Sequence, residues 1–238
     1  MFGFLIAGHD TTSTTLTWGL KNLADNQGSQ AKLRSHLHSA FDQAVVERRS
    51  PTVEEITKSQ IPYLDAVIEE ILRTAITFAG VVRHAVCDTV LLGHHIPKGT
   101  DIFLFHSGPD YFTPGFPIPE ENRSASARSA KHVHGRWDSK DSGEFKPERW
   151  LVRDDDGKDT FNPNAGPHLA FGLGPRACYG KRLAYLSLRI VVVLLVWNFE
   201  FKECPESLSS YAAVDKMSRQ ARQCFVRLAR AGFEEGTE

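Results

Sequence analysis

Apolar positions recur with helical spacing through the first third of the chain and in short β-branched runs after residue 80, so helices are predicted first and a small sheet later. Residues 2–26 read as one helix rich in threonine, and residues 30–48 as a second, amphipathic one with Leu33, Leu37, Phe41 and Val45 on a single face. Pro51 and Thr52 reset the chain. Glu55 follows Thr52 at the spacing of a capping box, which predicts a short helix from Val53 and a longer one from about Pro62. That longer helix, 62–74, carries Leu64, Ile68, Ile71 and Leu72 as its apolar stripe.

From 81 to 105 the runs are broken by Gly93, Pro97 and Gly99, the punctuation of strands and turns. Residues 107–144, heavy in Gly, Pro and Ser, are too long for an ordinary connection and read as a surface insert. Helical periodicity returns across 178–197. Residues 199–228 close the chain as a candidate hairpin, 199–201 against 224–228. No internal repeat is present, and the pattern as a whole predicts a mainly α fold with a minor β-sheet, an α+β class.

Composition narrows this without redirecting it. A chain of 238 residues with 41% hydrophobic and 24% charged content is long enough to bury a core. Its net charge of -1 gives no basic footprint for a nucleic acid. The four cysteines, Cys87, Cys178, Cys204 and Cys224, are widely spaced and show no C-x-x-C pair, so reduced thiols are expected. The apolar run 183–201 is interrupted by Arg189 and reads as a buried helix rather than a membrane span. Neither a G-x-G-x-x-G nor a Walker pattern occurs, so no nucleotide site is expected.

Candidate chemistry concentrates in Phe171-Gly-Leu-Gly-Pro-Arg-Ala-Cys-Tyr-Gly180, one cysteine among three glycines and a proline just ahead of a helix. Unpaired N–H groups and the positive end of the helix dipole favour an anion there, so Cys178 is a candidate thiolate ligand; the plainer alternative is a free cysteine in a glycine-rich turn. Glu70 and Arg73, three apart, share one helix face, a pairing that any surface helix can also carry.

Phe171, Gly174, Arg176, Cys178, Gly180 and Ala184 together match F-x-x-G-x-R-x-C-x-G-x-x-x-A, and on these residues the chain resembles the cytochromes P450. Two further segments resemble that family: Phe145-Lys-Pro-Glu-Arg-Trp150, and Ala7-Gly8-His9-Asp10-Thr11-Thr12. The resemblance implies haem b (iron protoporphyrin IX) with Cys178 as axial ligand of the iron and Phe171, Gly174 and Gly180 shaping its loop. It implies Arg176 and Arg83 as partners of the haem propionates, and Glu70, Arg73 and Arg149 as a buried structural triad. Ala7 and Gly8 would leave room for oxygen on the distal helix, where Asp10 and Thr11 would carry protons. His9, at the variable position, is expected to be structural or solvent-facing. His94 and His95, adjacent on a strand, are not expected to bind a metal.

By the same resemblance the chain is a haem-dependent monooxygenase acting with O2 on a small apolar organic substrate, its electrons coming from a separate NAD(P)H-cytochrome P450 reductase. Phe78, Val81 and Val82 lie where the family lines its substrate pocket. The alternatives are a non-catalytic truncated remnant and an oxygen-independent isomerase or dehydratase. The motifs start at the family's distal helix, so the N-terminal portion of the fold and its membrane anchor are expected to be absent. A full-length relative would sit on the cytosolic face of the endoplasmic reticulum, and 238 residues alone are expected to hold haem weakly. Two departures stand out. Ile76 occupies a position where the family often has proline, and the 107–144 insert looks like filamentous-fungal members.

Overall fold

The computed structural model describes residues 2–91, 93–105, 118–130, 135, 137–138 and 140–231. Two long helices open it, α1 (Phe2–Asp25) and α2 (Gln27–Ala40), followed by the short α3 (Asp42–Val46) and α4 (Val53–Lys58) and the central α5 (Pro62–Ala75). The amphipathic stretch that reads as one helix over 30–48 is therefore two. The chain leaves helical geometry at Phe41 (φ −118°, ψ 45°), whose buried ring meets Trp197 edge-on at 6.1 Å. Helix resumes at Asp42, whose carboxylate accepts from the Gln43 N–H. Tertiary packing of one aromatic outweighs continuity of the local pattern.

At α4 both halves of the capping box form: the Thr52 hydroxyl accepts from the Glu55 N–H at 3.2 Å, and the Glu55 carboxylate accepts from the Thr52 N–H at 2.6 Å. Arg49 grips the same carboxylate through two nitrogens, each at 2.8 Å. Helix α5 begins with Pro62 in its first turn, where a missing N–H costs nothing. It is buried on nearly every side, charged residues included, and packs against α1, α2 and α7 (Lys181–Asn198). Leu33, Leu37, Leu64, Ile68, Ile71, Val192, Val193, Val196 and Trp197 form the centre of the core.

Among the described residues the remaining order is five antiparallel two-stranded pairs. Strands β1 (Gly80–His84) and β4 (Asp101–Phe105) enclose the smaller pair β2 (Thr89–Leu91) and β3 (His94–Ile96). Gly80 is required in β1, because a Cβ there would lie 2.6 Å from the Leu104 carbonyl oxygen. After α6 (Ala125–Ala130) come β5 (Leu151–Arg153) and β6 (Asp159–Phe161). At the C-terminal end β7 (Phe199–Lys202) pairs with β10 (Arg227–Arg230), so the second strand begins three residues later than the expected 224–228, and the pair encloses a second hairpin, β8 (Ala213–Asp215) with β9 (Arg219–Ala221). The class is α+β. Of the 107–144 insert, residues 107–117, 131–134, 136 and 139 lie outside the described residues. No helix among the described residues is long and apolar enough to cross a membrane.

Candidate active site

The loop 171–180 is shaped by two glycines in left-handed conformations, Gly172 (φ 65°) and Gly174 (φ 69°), which side-chain-bearing residues adopt only with strain. These turns fold the loop back so that the Cys178 N–H donates to the Phe171 carbonyl at 2.8 Å and the Ala177 N–H to the Gly174 carbonyl at 3.0 Å. Helix α7 starts at Lys181, three residues after the cysteine, with no acidic side chain in its first turn. Cys178 is exposed at this electropositive helix entrance, and so are Arg176 and the apolar Leu173, Tyr179 and Leu183. The other cysteines have different settings. Cys224 is half-buried with its thiol 2.9 Å from the Thr17 carbonyl, and burial pushes that thiol's pKa up, whereas Cys87 is exposed beyond β1 and Cys204 bonds the Phe225 carbonyl.

Behind the loop lies a buried charge cluster. Glu70, Arg73 and Arg149 come together from α5 and the short 3-10 turn Pro147–Trp150: Arg73 Nε and Nη2 donate to the two Glu70 oxygens, each at 2.8 Å, and Arg149 Nε donates to Glu70 Oε1 at 3.0 Å. The Glu70 and Arg73 side chains are 0% exposed and Arg149 only 5%, so the charges are compensated without help from solvent. Three partners were not singled out in the sequence. The Lys146 N–H (2.8 Å) and Trp150 Nε1 (3.0 Å) complete the acceptor capacity of Glu70, and the Asp141 carboxylate receives Arg149 Nη1 at 2.9 Å. Arg73 is finished by the carbonyls of Ser142 and Glu144. Residues 141–150 thus wrap the guanidinium groups, and backbone oxygens carry no signal in a residue pattern.

A second unforeseen set joins this cluster to the loop. Tyr185 of α7 donates to Glu69 Oε1 at 2.5 Å, and its ring lies 5.1 Å from that of Phe171, the residue whose carbonyl holds the Cys178 N–H. Burial, and then the Glu69 charge, hold the Tyr185 phenol well above its ordinary pKa, so it acts here as a donor. His168 Nδ1 approaches Glu69 Oε2 to 3.0 Å without hydrogen-bond alignment, and its ring meets Trp150 edge-on at 5.4 Å.

Helix α1 carries the remaining candidates. The Thr11 hydroxyl donates to the Ala7 carbonyl at 2.6 Å, and Ala7, Gly8 and His9 are exposed. Asp10 accepts from Ser218 (2.5 Å) and Gln220 (3.0 Å) of the second C-terminal hairpin. Arg83, on β1, is exposed and donates to the Val82 carbonyl; among the described residues no hydrogen bond or ion pair links Arg83, Arg176 and Cys178. His94 and His95 lie on β3, and no group of three or more His, Cys, Asp or Glu is placed as for a metal ion among the described residues.

The cytochrome P450 family model matches residues 1–122 and 136–212, most of the chain. The chain belongs to the cytochrome P450 family. Cytochrome P450 monooxygenase TRI13 of Fusarium sporotrichioides is 45% identical to it over 243 residues, which cover 97% of this chain and 41% of that protein. Cytochrome P450 monooxygenase GME11363 of Pestalotiopsis microspora is 46% identical over 229 residues, 96% of this chain and 40% of that protein. The Hps1-dma1 cluster cytochrome P450 monooxygenase cyp3.1 of Dothistroma septosporum is 41% identical over 242 residues and is matched over 76% of its own length. This P450 chain spans about two fifths of the first two relatives.

The family implies a haem, and the residues present fit one. A lone thiol at a helix entrance suits an axial iron ligand. The exposed apolar side chains Leu173 and Leu183 suit the face of a flat macrocycle, and the exposed guanidiniums of Arg176 and Arg83 suit carboxylate substituents.

Proposed function

We propose that this chain is the haem-ligating part of a monooxygenase, an oxidoreductase that inserts one oxygen atom from O2 into a small apolar organic substrate. The observation that carries the reading is Cys178: exposed, held by its own N–H on the Phe171 carbonyl, and placed at the N-terminus of an 18-residue helix. Haem b, when bound, supplies the oxygen-activating and electron-transfer chemistry, with electrons from a separate NAD(P)H-cytochrome P450 reductase. Cys178 holds the iron, while Phe171, Gly174 and Gly180 keep the loop in the shape that presents the sulfur. Arg176 and Arg83 pair with the propionates. Ala7 and Gly8 present little side chain on the distal helix, and Asp10 and Thr11 move protons there, the carboxylate taking one from solvent and yielding it toward the Thr11 hydroxyl. Phe78, just ahead of β1, and Val82, within it, are both exposed and present an apolar surface to substrate. The membrane association proposed for the complete enzyme, at the cytosolic face of the endoplasmic reticulum, comes from the family resemblance.

The test is the reduced, carbon-monoxide-bound spectrum of Cys178→Ala in a full-length context. The expected result is loss of the strongly red-shifted thiolate-type band; its persistence would reassign the ligand. Thr11→Ala, in turn, is expected to keep haem but to lower the product formed per NAD(P)H consumed, because proton delivery is the step it serves.

A further inference from the structure

The Asp10 contacts come from 208 and 210 residues away in the chain. Ser218 is buried at 2% exposure, and its hydroxyl lies 2.5 Å from Asp10 Oδ2 and 3.0 Å from the Thr14 hydroxyl. A hydroxyl has one hydrogen, and an ionised carboxylate can only accept. Ser218 therefore donates to Asp10, and the shared hydrogen between Thr14 and Ser218 comes from Thr14. This sets Thr14 apart from its neighbours on α1, since Thr11, Thr15 and Thr17 each donate to the carbonyl four residues earlier. Gln220 Nε2 takes the other oxygen, Oδ1, at 3.0 Å. Both carboxylate oxygens are thus held by one hairpin.

That hairpin is itself fixed. Between Ser218 and Gln220, the Arg219 carbonyl accepts from Trp18 Nε1 at 2.8 Å and the Arg219 N–H donates to the Thr77 carbonyl at 3.0 Å, while its guanidinium lies over the Trp18 ring at 5.2 Å. The Thr77 hydroxyl meets that of Thr15 at 2.8 Å. The backbone contacts of Arg219 tie the hairpin to Trp18 of α1 and to Thr77, and the two side-chain donors on Asp10 add the orientation of one carboxylate. An aspartate on a helix surface otherwise samples several rotamers, and one held through both oxygens does not.

We propose that Ser218 and Gln220 are positioning residues for proton delivery at Asp10: the 213–221 hairpin fixes the carboxylate in the orientation from which it passes protons toward Thr11. The inference rests on the role assigned to Asp10 and Thr11 above. Two measurements test it, the first on the haem-loaded protein in a full-length context. In the first, Ser218→Ala and Gln220→Leu each keep haem content and the thiolate-type band but lower the product formed per NAD(P)H several-fold, and Ser218→Ala added to Asp10→Asn causes no further drop. In the second, which needs no turnover, denaturant unfolding of the Asp10→Ala and Ser218→Ala cycle shows Ser218→Ala changing the unfolding equilibrium constant about tenfold when Asp10 is present and much less when it is absent. Gln220→Leu, at a less buried position, carries the test should Ser218→Ala fail to fold. Additive stability effects, or unchanged coupling in Ser218→Ala and Gln220→Leu while Asp10→Asn is uncoupled, overturn the inference alone. Unchanged coupling in Asp10→Asn overturns the role of Asp10 and the inference with it, whatever the stability cycle reads.

Discussion

The Glu70 cluster and the Cys178 loop lie at opposite extremes of the same fold. Around Glu70, three charged side chains between 0% and 5% exposed find every partner within the chain, in side chains, indole and backbone carbonyls. Around Cys178 the backbone is equally well tied, but the groups proposed to carry chemistry, the thiol, Arg176 and the flanking apolar side chains, are exposed. One region spends its polar groups on holding the fold, and the other keeps its groups available for something else. Substitutions in the two should therefore separate stability from ligation.

The largest separation is expected at Glu70. Removing its carboxylate in Glu70→Ala leaves two guanidinium groups buried against each other, together with the Lys146 N–H and Trp150 Nε1 without an acceptor. Breaking such a network by deleting one partner costs ~3–5 kcal/mol, a large share of the ~5–15 kcal/mol that keeps a domain folded. Chemical denaturation should show the midpoint collapse or no cooperative transition, and a midpoint within experimental error of the parent would mean that the cluster is not a lock.

How much of this contrast could be read in the residues differs by element. The helices from Val53 and Pro62, the capping box at Thr52 and the shared face of Glu70 and Arg73 are visible because each rests on local spacing, whereas Arg149 as their third partner is visible only through the family resemblance of residues 145–150. The break at Phe41 is not, since it follows from a ring packing on Trp197 more than 150 positions away. Asp141, Glu69, His168 and Tyr185 belong to the same blind spot: each is an unremarkable residue locally and gains its role only from a partner brought near by the fold. The contacts of Ser218 and Gln220 with Asp10 were out of reach for the same reason.

Tyr185 bridges the two regions, so Tyr185→Phe sharpens the comparison. It deletes the donor to Glu69 while keeping the ring beside Phe171. A hydrogen bond to a charged group contributes about 1.5–3 kcal/mol, and the expected loss is of that order, with the thiolate-type spectrum retained because the ring still supports the loop. A denaturation midpoint equal to the parent's would show that Glu69 is satisfied without the phenol.

A smaller effect is expected from Asp141, and it has a sign in pH. Hydrogen bonds from Lys146 and Arg149 hold the Asp141 carboxyl below its ordinary pKa. A group depressed in the folded state contributes stability fully above its unfolded value, near 4, and loses it as pH falls through the lower folded value. Asp141→Asn should be less stable than the parent at neutral pH, with the difference shrinking below about pH 4. A gap that stays constant down to the acid limit would assign the loss to packing rather than to ionisation.

The smallest stability effect is expected where the chemical effect is greatest. Cys178 is exposed, and the hydrogen bond that fixes it uses its backbone N–H, not its sulfur. Cys178→Ala keeps that N–H, leaves the left-handed turns at Gly172 and Gly174 as they were, and places a good helix former just ahead of α7. Surface substitutions of this kind stay within about 0.5 kcal/mol of the parent. The haem-free protein should therefore unfold at nearly the parent midpoint while the variant gives no thiolate-type spectrum on loading. A shift of several kcal/mol in the haem-free variant would instead place the sulfur among the groups that hold the fold, and the contrast between the Glu70 cluster and the Cys178 loop would collapse.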